Sequence, residues 1–82
     1  MTIAETIEKL EIEKASTRFA YLVKICEELF GSPRIRGSHH IFKTPWPGDP
    51  RINVQKAGSK AKPYQGEQVI AALRKLEQMK RG

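Results

Sequence analysis

The chain has little cysteine, little histidine and no long apolar run. Its single cysteine, Cys26, allows no intrachain disulfide and no cysteine-based zinc cluster. Charged residues separate Ile3, Ile7 and Leu10, so the N-terminus lacks the apolar core of a signal peptide. No stretch approaches the length of a membrane span. We therefore expect a cytoplasmic protein that makes no use of the membrane.

The shortage of ligand side chains also disfavours metal and cofactor sites. The chain has two histidines and no carboxylate cluster near them. A hydrolytic metal site needs several such ligands together. We expect neither a metal nor another cofactor.

What the chain does have is a concentrated positive charge. Its 82 residues are enough for one small domain, with a net charge of +6 and a pI near 9.8. Residues 33–62 carry seven Lys and Arg against Asp49 alone, while the net charges of the flanking segments, −2 and +2, cancel. This distribution favours a polyanionic partner, nucleic acid ahead of an acidic membrane, and leaves a merely solvated basic face as the alternative.

Helices are predicted at both ends of the chain. Thr2 and Glu5 have capping-box spacing, so residues 1–15 form either a short helix or a partly ordered lead-in. A second helix opens near Ser16 or Thr17 and ends at Gly31, because apolar residues recur between them at helical spacing. A last helix begins at Pro63, which suits a first helical turn.

Between these helices the apolar pattern changes to alternation. Short β-rich segments at 34–36, 39–44 and 51–55 are separated by Gly37 and by a Pro- and Gly-rich loop, which predicts three antiparallel strands. The fold class is therefore α+β, in the order helix, three strands, helix. With both helices on one face of the sheet, the other face stays open to solvent, where RNA can dock.

Two adjacent histidines open the second strand. Imidazole is the side chain whose ordinary pKa is nearest neutrality, so His39 or His40 can transfer a proton at a phosphodiester; the alternative is that they only complete a strand end. Adjacent strand residues point to opposite faces. Because His40 shares its face with Phe42, whose large ring favours the covered side, we expect His39 to be the exposed imidazole.

The motifs around these histidines resemble the HicA family of bacterial toxins. The resemblance covers about residues 16–80 and rests on motifs in a fixed order. These are Gly37-Ser38-His39, His40-Ile41-Phe42-Lys43, Arg51-Ile52-Asn53-Val54-Gln55, and Gly58-Ser59-Lys60-Ala61-Lys62-Pro63-Tyr64-Gln65 leading into Gln68-Val69. It implies a fold similar to double-stranded RNA-binding domains over residues 16–82, with residues 1–15 as a helical extension. It also implies a toxin of a type II toxin-antitoxin pair, an endoribonuclease that cuts mRNA and is neutralised by a HicB-like antitoxin.

The same resemblance makes His39 the catalytic residue. Cations and backbone amides are needed to hold the phosphate, and the neighbouring residues that supply them are Arg36, Gly37, Ser38, Lys43, Lys60 and Lys62. Many family members carry a further histidine after the third strand, where this chain has Gln55-Lys56-Ala57. The acid-base partner of His39 is therefore unassigned.

Two other functions stay open. A non-catalytic RNA-binding module of the same fold is favoured by the missing second acid-base group. A protein-interaction adaptor would use Trp46 and the basic surface to hold an acidic partner. Trp46 either stacks on a base or docks a partner, or it folds back over the sheet edge. Tyr64 either reaches a phosphate with its hydroxyl or anchors the packing of the last helix.

Overall fold

Three helices and one three-stranded sheet make up the part of the chain that the structure describes. The structure is a computed structural model that describes residues 2–13, 16–46, 51–55, 61 and 63–81. The elements are α1 (Ile3–Ile12), α2 (Phe19–Phe30), β1 (Arg34–Arg36), β2 (His39–Phe42), β3 (Ile52–Gln55) and α3 (Pro63–Arg81). The sheet is antiparallel with the order β1-β2-β3. The predicted α+β class and its three antiparallel strands are confirmed.

Helix α1 begins with the capping box that its sequence predicts. Thr2 Oγ1 accepts a hydrogen bond from the Glu5 amide at 3.1 Å, and Glu5 Oε1 accepts one from the Thr2 amide at 2.9 Å. The hydrogen bond from the Thr2 backbone lowers the pKa of the Glu5 carboxyl. Ile7 and Leu10 are buried, so the first of the two alternatives for this segment is correct, and the helix contributes to the core.

Helix α2 starts later than predicted. Its N-cap is Arg18, in an extended conformation and without a side-chain capping bond. Thr17 instead donates its hydroxyl to the Glu13 carbonyl at 2.9 Å, and its own carbonyl accepts from the Ala61 amide at 3.0 Å. These two hydrogen bonds of Thr17 fasten the segment before α2 to residues 13 and 61.

The hairpin between β1 and β2 has a two-residue turn. Gly37 has a φ of +58°, a left-handed conformation that glycine adopts without steric cost, and no other residue type in the described chain has positive φ. Arg36 pairs directly with His39, so no bulge shifts the register. Strand β2 ends at Phe42, two residues before the predicted limit.

One face of the sheet is buried under the helices. Phe42, Ile52 and Val54 are at most 2% exposed, and they pack in one cluster with residues of all three helices. Cys26 belongs to this cluster, and its burial raises the pKa of the thiol to about 12. The cysteine is therefore a protonated packing residue.

Helix α3 runs beside β3 and also packs on α1. Gln68 Nε2 donates to the Arg51 carbonyl at 3.4 Å, next to the first residue of β3, and Arg74 forms an exposed ion pair with Glu11 of α1. None of the helices in the described ranges has the length and apolar character needed to cross a membrane.

Replacing Leu10 by Ala tests whether α1 belongs to the core. Leu10 is 1% exposed and Ile12, on the same helix, is 77% exposed. We expect Leu10→Ala to lower the free energy of unfolding by about 2–5 kcal/mol, because a buried side chain leaves a cavity. Ile12→Ala should change it by less than about 0.5 kcal/mol. Urea titration followed by circular dichroism measures the free energy of unfolding of both variants. A loss for Leu10→Ala as small as that for Ile12→Ala would show that α1 is peripheral.

Candidate nucleic-acid interface

The face of the sheet opposite the helices presents two rows of three side chains. We call it the open face, and its rows are Arg36, His39 and Gln55, and Arg34, Ile41 and Asn53. These rows follow from the cross-strand register, because directly paired residues project to the same face. The open face thus has arginines on the edge strand, an imidazole in the centre and amides on β3.

His39 makes a hydrogen bond to the next strand. Its Nδ1 lies 3.1 Å from Asn53 Oδ1. An amide oxygen can only accept, so this hydrogen bond requires a proton on Nδ1, and Nε2 has no hydrogen-bond partner among the described residues. The ring is half-buried, and it is held in one orientation with its basic nitrogen unused. This arrangement suits a general base.

Positive charge lies directly beside this imidazole. Arg36 is paired with His39 across the hairpin, and Arg34 lies two residues before Arg36 on the same edge strand. Both side chains are exposed. Guanidinium groups bind phosphate through two parallel hydrogen bonds, so the two arginines can hold a backbone phosphate near His39.

The other predicted contact residues are placed as follows. Gly37 and Ser38 form the exposed turn that leads into His39, and Lys43 is exposed directly after β2. Their amides and charge therefore border the open face. Lys60 and Lys62 lie outside the described residues. The role of all these residues in RNA binding stays a prediction.

His40 has a different environment from His39. Its ring lies edge-on to Phe19, with centroids 5.0 Å apart and planes at 78°. Its Nδ1 is buried without a hydrogen-bond partner in the described part of the chain. The two imidazoles therefore lie on opposite faces, as the alternation predicts, and His40 is a packing residue.

A groove of about 210 Å³ lies next to His39, between β3 and the first turns of α3. We call it the β3–α3 groove, and its lining residues are His39, Asn53, Gln55, Tyr64, Gln65 and Gln68. Sequence reasoning missed Asn53 and Gln65 as site residues. Alternation with the buried Ile52 and Val54 could have placed Asn53 on the open face, whereas nothing in the sequence brings α3 beside His39.

Trp46 is folded back against the helices. Its ring lies edge-on to Phe30, with centroids 6.1 Å apart, and Lys75 Nζ sits 4.8 Å from its centroid. Trp46 is therefore held in the structure by a ring contact and a cation–π contact. The ring is thus folded back and half-buried, and its role in binding a base or a partner stays a prediction. Tyr64, by contrast, is 57% exposed and does not anchor packing.

Comparisons of the chain with protein-family models, curated proteins and solved structures found no significant match. In the described ranges, no group of three or more His, Cys, Asp or Glu side chains is arranged to hold a metal ion. The geometry of the open face and the motifs of the sequence are the observations on which a function can be based.

The different environments of the two histidines predict different effects on stability. We expect His40→Ala to lower the free energy of unfolding by about 1–3 kcal/mol, because it removes a packed ring. His39→Ala should cost less than about 1 kcal/mol, the value of one exposed hydrogen bond. His40→Leu should be close to neutral, since it fills the space and removes the unpaired nitrogen. Thermal unfolding of the three variants checks this. A greater loss of stability for His39→Ala than for His40→Ala would mean that His39, and not His40, faces the core.

Proposed function

We propose that this protein is a HicA-like toxin of a type II toxin-antitoxin pair, an endoribonuclease that cleaves mRNA with His39 as the general acid-base residue. The finer fold that we propose is similar to that of double-stranded RNA-binding domains. Support comes from the Gly37-Ser38-His39 motif with its neighbouring motifs, and from the positive charge of residues 33–62. The observation that carries the proposal is the hydrogen bond that His39 Nδ1 donates to Asn53 Oδ1, beside Arg36.

The proposed reaction uses the 2′-hydroxyl of the RNA as nucleophile. His39 Nε2 takes the proton from this hydroxyl, the 2′-oxygen attacks phosphorus, and the bond from phosphorus to the 5′-oxygen breaks. The products are a 2′,3′-cyclic phosphate and a 5′-hydroxyl end. Arg34 and Arg36 stabilise the negative charge that develops on the phosphate oxygens.

Only one imidazole lies on the described part of the open face. His40 is on the opposite face and cannot protonate the leaving 5′-oxygen. We assign that proton to water, and the hydroxide that forms takes up the proton from His39. A single catalytic base predicts a rate that rises with pH to a plateau, whereas an acid-base pair gives a bell-shaped profile.

A second candidate function is a non-catalytic RNA-binding module. The lone imidazole of the described open face favours it, since RNA can be held by the arginines without proton transfer. Retention of RNA without turnover would identify this function. For the adaptor function the basic surface remains as support, while the half-buried Trp46 ring is in contact with Phe30 and Lys75.

The catalytic proposal predicts the effect of removing His39. His39→Ala should lower the single-turnover cleavage rate of an mRNA by about 10²–10⁴-fold, the usual contribution of general acid-base catalysis. His40→Leu is the matched control and should cleave normally. EDTA should have no effect on either protein. Cleavage by His39→Ala at the normal rate would refute the assignment.

The basic open face predicts a dependence on salt. If about four phosphates are neutralised, the logarithm of the affinity for single-stranded RNA should fall with log salt at a slope of about −3, from roughly −0.7 per phosphate. The double variant Arg34→Gln, Arg36→Gln should flatten this slope by about 1.4. Lys24→Gln, on α2, should not change it. Fluorescence anisotropy at several salt concentrations measures the slope, and a slope near zero with binding retained would rule out electrostatic binding.

The proposed antitoxin would act by covering the open face. An acidic partner surface would complement Arg34 and Arg36 and exclude RNA from His39. We therefore expect the purified complex to protect His39 from modification by diethyl pyrocarbonate, measured by peptide mass spectrometry, and to bind RNA at least tenfold more weakly than the free toxin. Simultaneous tight binding of antitoxin and RNA would contradict occlusion.

A further inference from the structure

A second groove is lined by none of the residues of the open face. It has a volume of about 160 Å³ and lies at the Ile52 end of β3, whereas His39 is paired with Gln55 at the other end of that strand. We call it the Trp46 groove. Its apolar lining residues are Trp46, Ile52, Ala71 and Ala72, and its cationic lining residues are Arg51 and Lys75.

The walls of the Trp46 groove are rigid and leave room for one side chain. One wall is the Trp46 ring, which is fixed by its edge contact with Phe30 and its cation–π contact with Lys75. The small side chains of Ala71 and Ala72, on α3, form another part of the lining. The volume is close to the roughly 150 Å³ of an apolar cavity that accepts benzene. The groove therefore suits one large apolar side chain such as phenylalanine or leucine.

The charge of the groove is positive. Arg51 and Lys75 are both exposed, and none of the described lining residues is an aspartate or a glutamate. Like charges repel each other, and carboxylates placed beside them remove this repulsion. An apolar groove bordered by two cations is therefore complementary to an apolar side chain that has acidic neighbours.

An RNA base is a poorer occupant of this groove. Lys75 Nζ lies 4.8 Å from the centroid of the Trp46 ring, so a base that stacked on that side would have to displace it. Gln68 is the one amide side chain among the described lining residues, and it already donates its Nε2 to the Arg51 carbonyl. Base recognition combines stacking with polar contacts to the base edge. The groove offers little of either, which favours a protein side chain.

We propose that the Trp46 groove is a docking site for an acidic segment of a partner protein. One large apolar side chain of that segment enters between the Trp46 ring and the alanines of α3, and flanking carboxylates pair with Arg51 and Lys75. Tryptophan and arginine are the residues most often found at the energetic centres of protein interfaces. The inference goes beyond the proposed function and does not depend on it, because none of the described lining residues belongs to the proposed nuclease site.

Fluorescence of Trp46 tests the proposal, because Trp46 is the single tryptophan of the chain. The probes are three acetylated and amidated peptides: Glu-Asp-Phe-Glu-Asp, the same peptide with Ala in place of Phe, and the same peptide with Gln and Asn in place of the acids. We expect the first peptide to shift the Trp46 emission and to saturate. The other two should bind at least about tenfold more weakly, because one lacks the apolar group and the other lacks the carboxylates.

Variants of α3 test where the peptide binds. Ala71 is exposed, so Ala71→Leu fills the groove at little cost in stability, and it should weaken binding of the acidic Phe peptide at least about tenfold. Ala20→Leu, at an exposed position of α2, is the matched control and should bind this peptide normally. Lys75→Glu should also weaken binding, whereas Lys80→Glu, on the same helix, should not. RNA cleavage by Ala71→Leu should equal that of the wild type.

Other occupants of the groove would give different results. Equal responses to the three peptides, or binding that survives in Ala71→Leu, would overturn the inference. A single-stranded RNA that shifts the Trp46 emission of the wild type but not of Ala71→Leu would overturn it in favour of a base site. Ile12 is 77% exposed between Glu11 and Glu13. Emission that depends on protein concentration, but not in Ile12→Ala, would overturn the inference in favour of a second copy of this chain.

The docking site and the nuclease can fail separately. His39→Ala should bind the acidic Phe peptide as tightly as the wild type does. Peptide binding without RNA cleavage would therefore support the docking site while contradicting the nuclease, and cleavage without peptide binding would do the reverse.

Discussion

The register of the β1–β2 hairpin is the constraint on which the rest of the site depends. A two-residue turn at Gly37 pairs Arg36 with His39, and the alternation of side chains then assigns every strand residue to one face. A shift of one residue would place His40 beside the arginines and turn Phe42 toward solvent. The burial of Phe42 opposes such a shift, so packing of the core also positions the proposed catalytic group.

Stability and proposed chemistry are therefore divided between the two faces. The covered face holds Phe42 and Val54 in the core, together with the His40 ring against Phe19. The open face holds polar and charged side chains, apart from Ile41. His40 and Gln65 each have a buried side-chain atom without a hydrogen-bond partner among the described residues. Natural proteins keep few such groups.

Much of the fold was predictable because local rules act strongly in a chain of this size. The capping box of Thr2 and Glu5, the end of α2 at Gly31 and the turn at Gly37 each depend on residues near in sequence. The start of α2 was predicted wrongly, because Thr17 makes its hydrogen bonds to Glu13 and Ala61 and does not cap the helix. A prediction from local sequence does not take account of hydrogen bonds to such partners elsewhere in the chain.

The sequence by itself determined the α+β class, the concentration of positive charge in residues 33–62 and the opposite directions of His39 and His40. These follow from composition and from the two-residue period of a strand. Tertiary structure decided that Asn53 orients His39, that Trp46 packs on Phe30, and that Gln65 reaches a groove beside the imidazole. These contacts join residues that are distant in the chain, and their geometry depends on how α3 packs along β3, which no local pattern encodes.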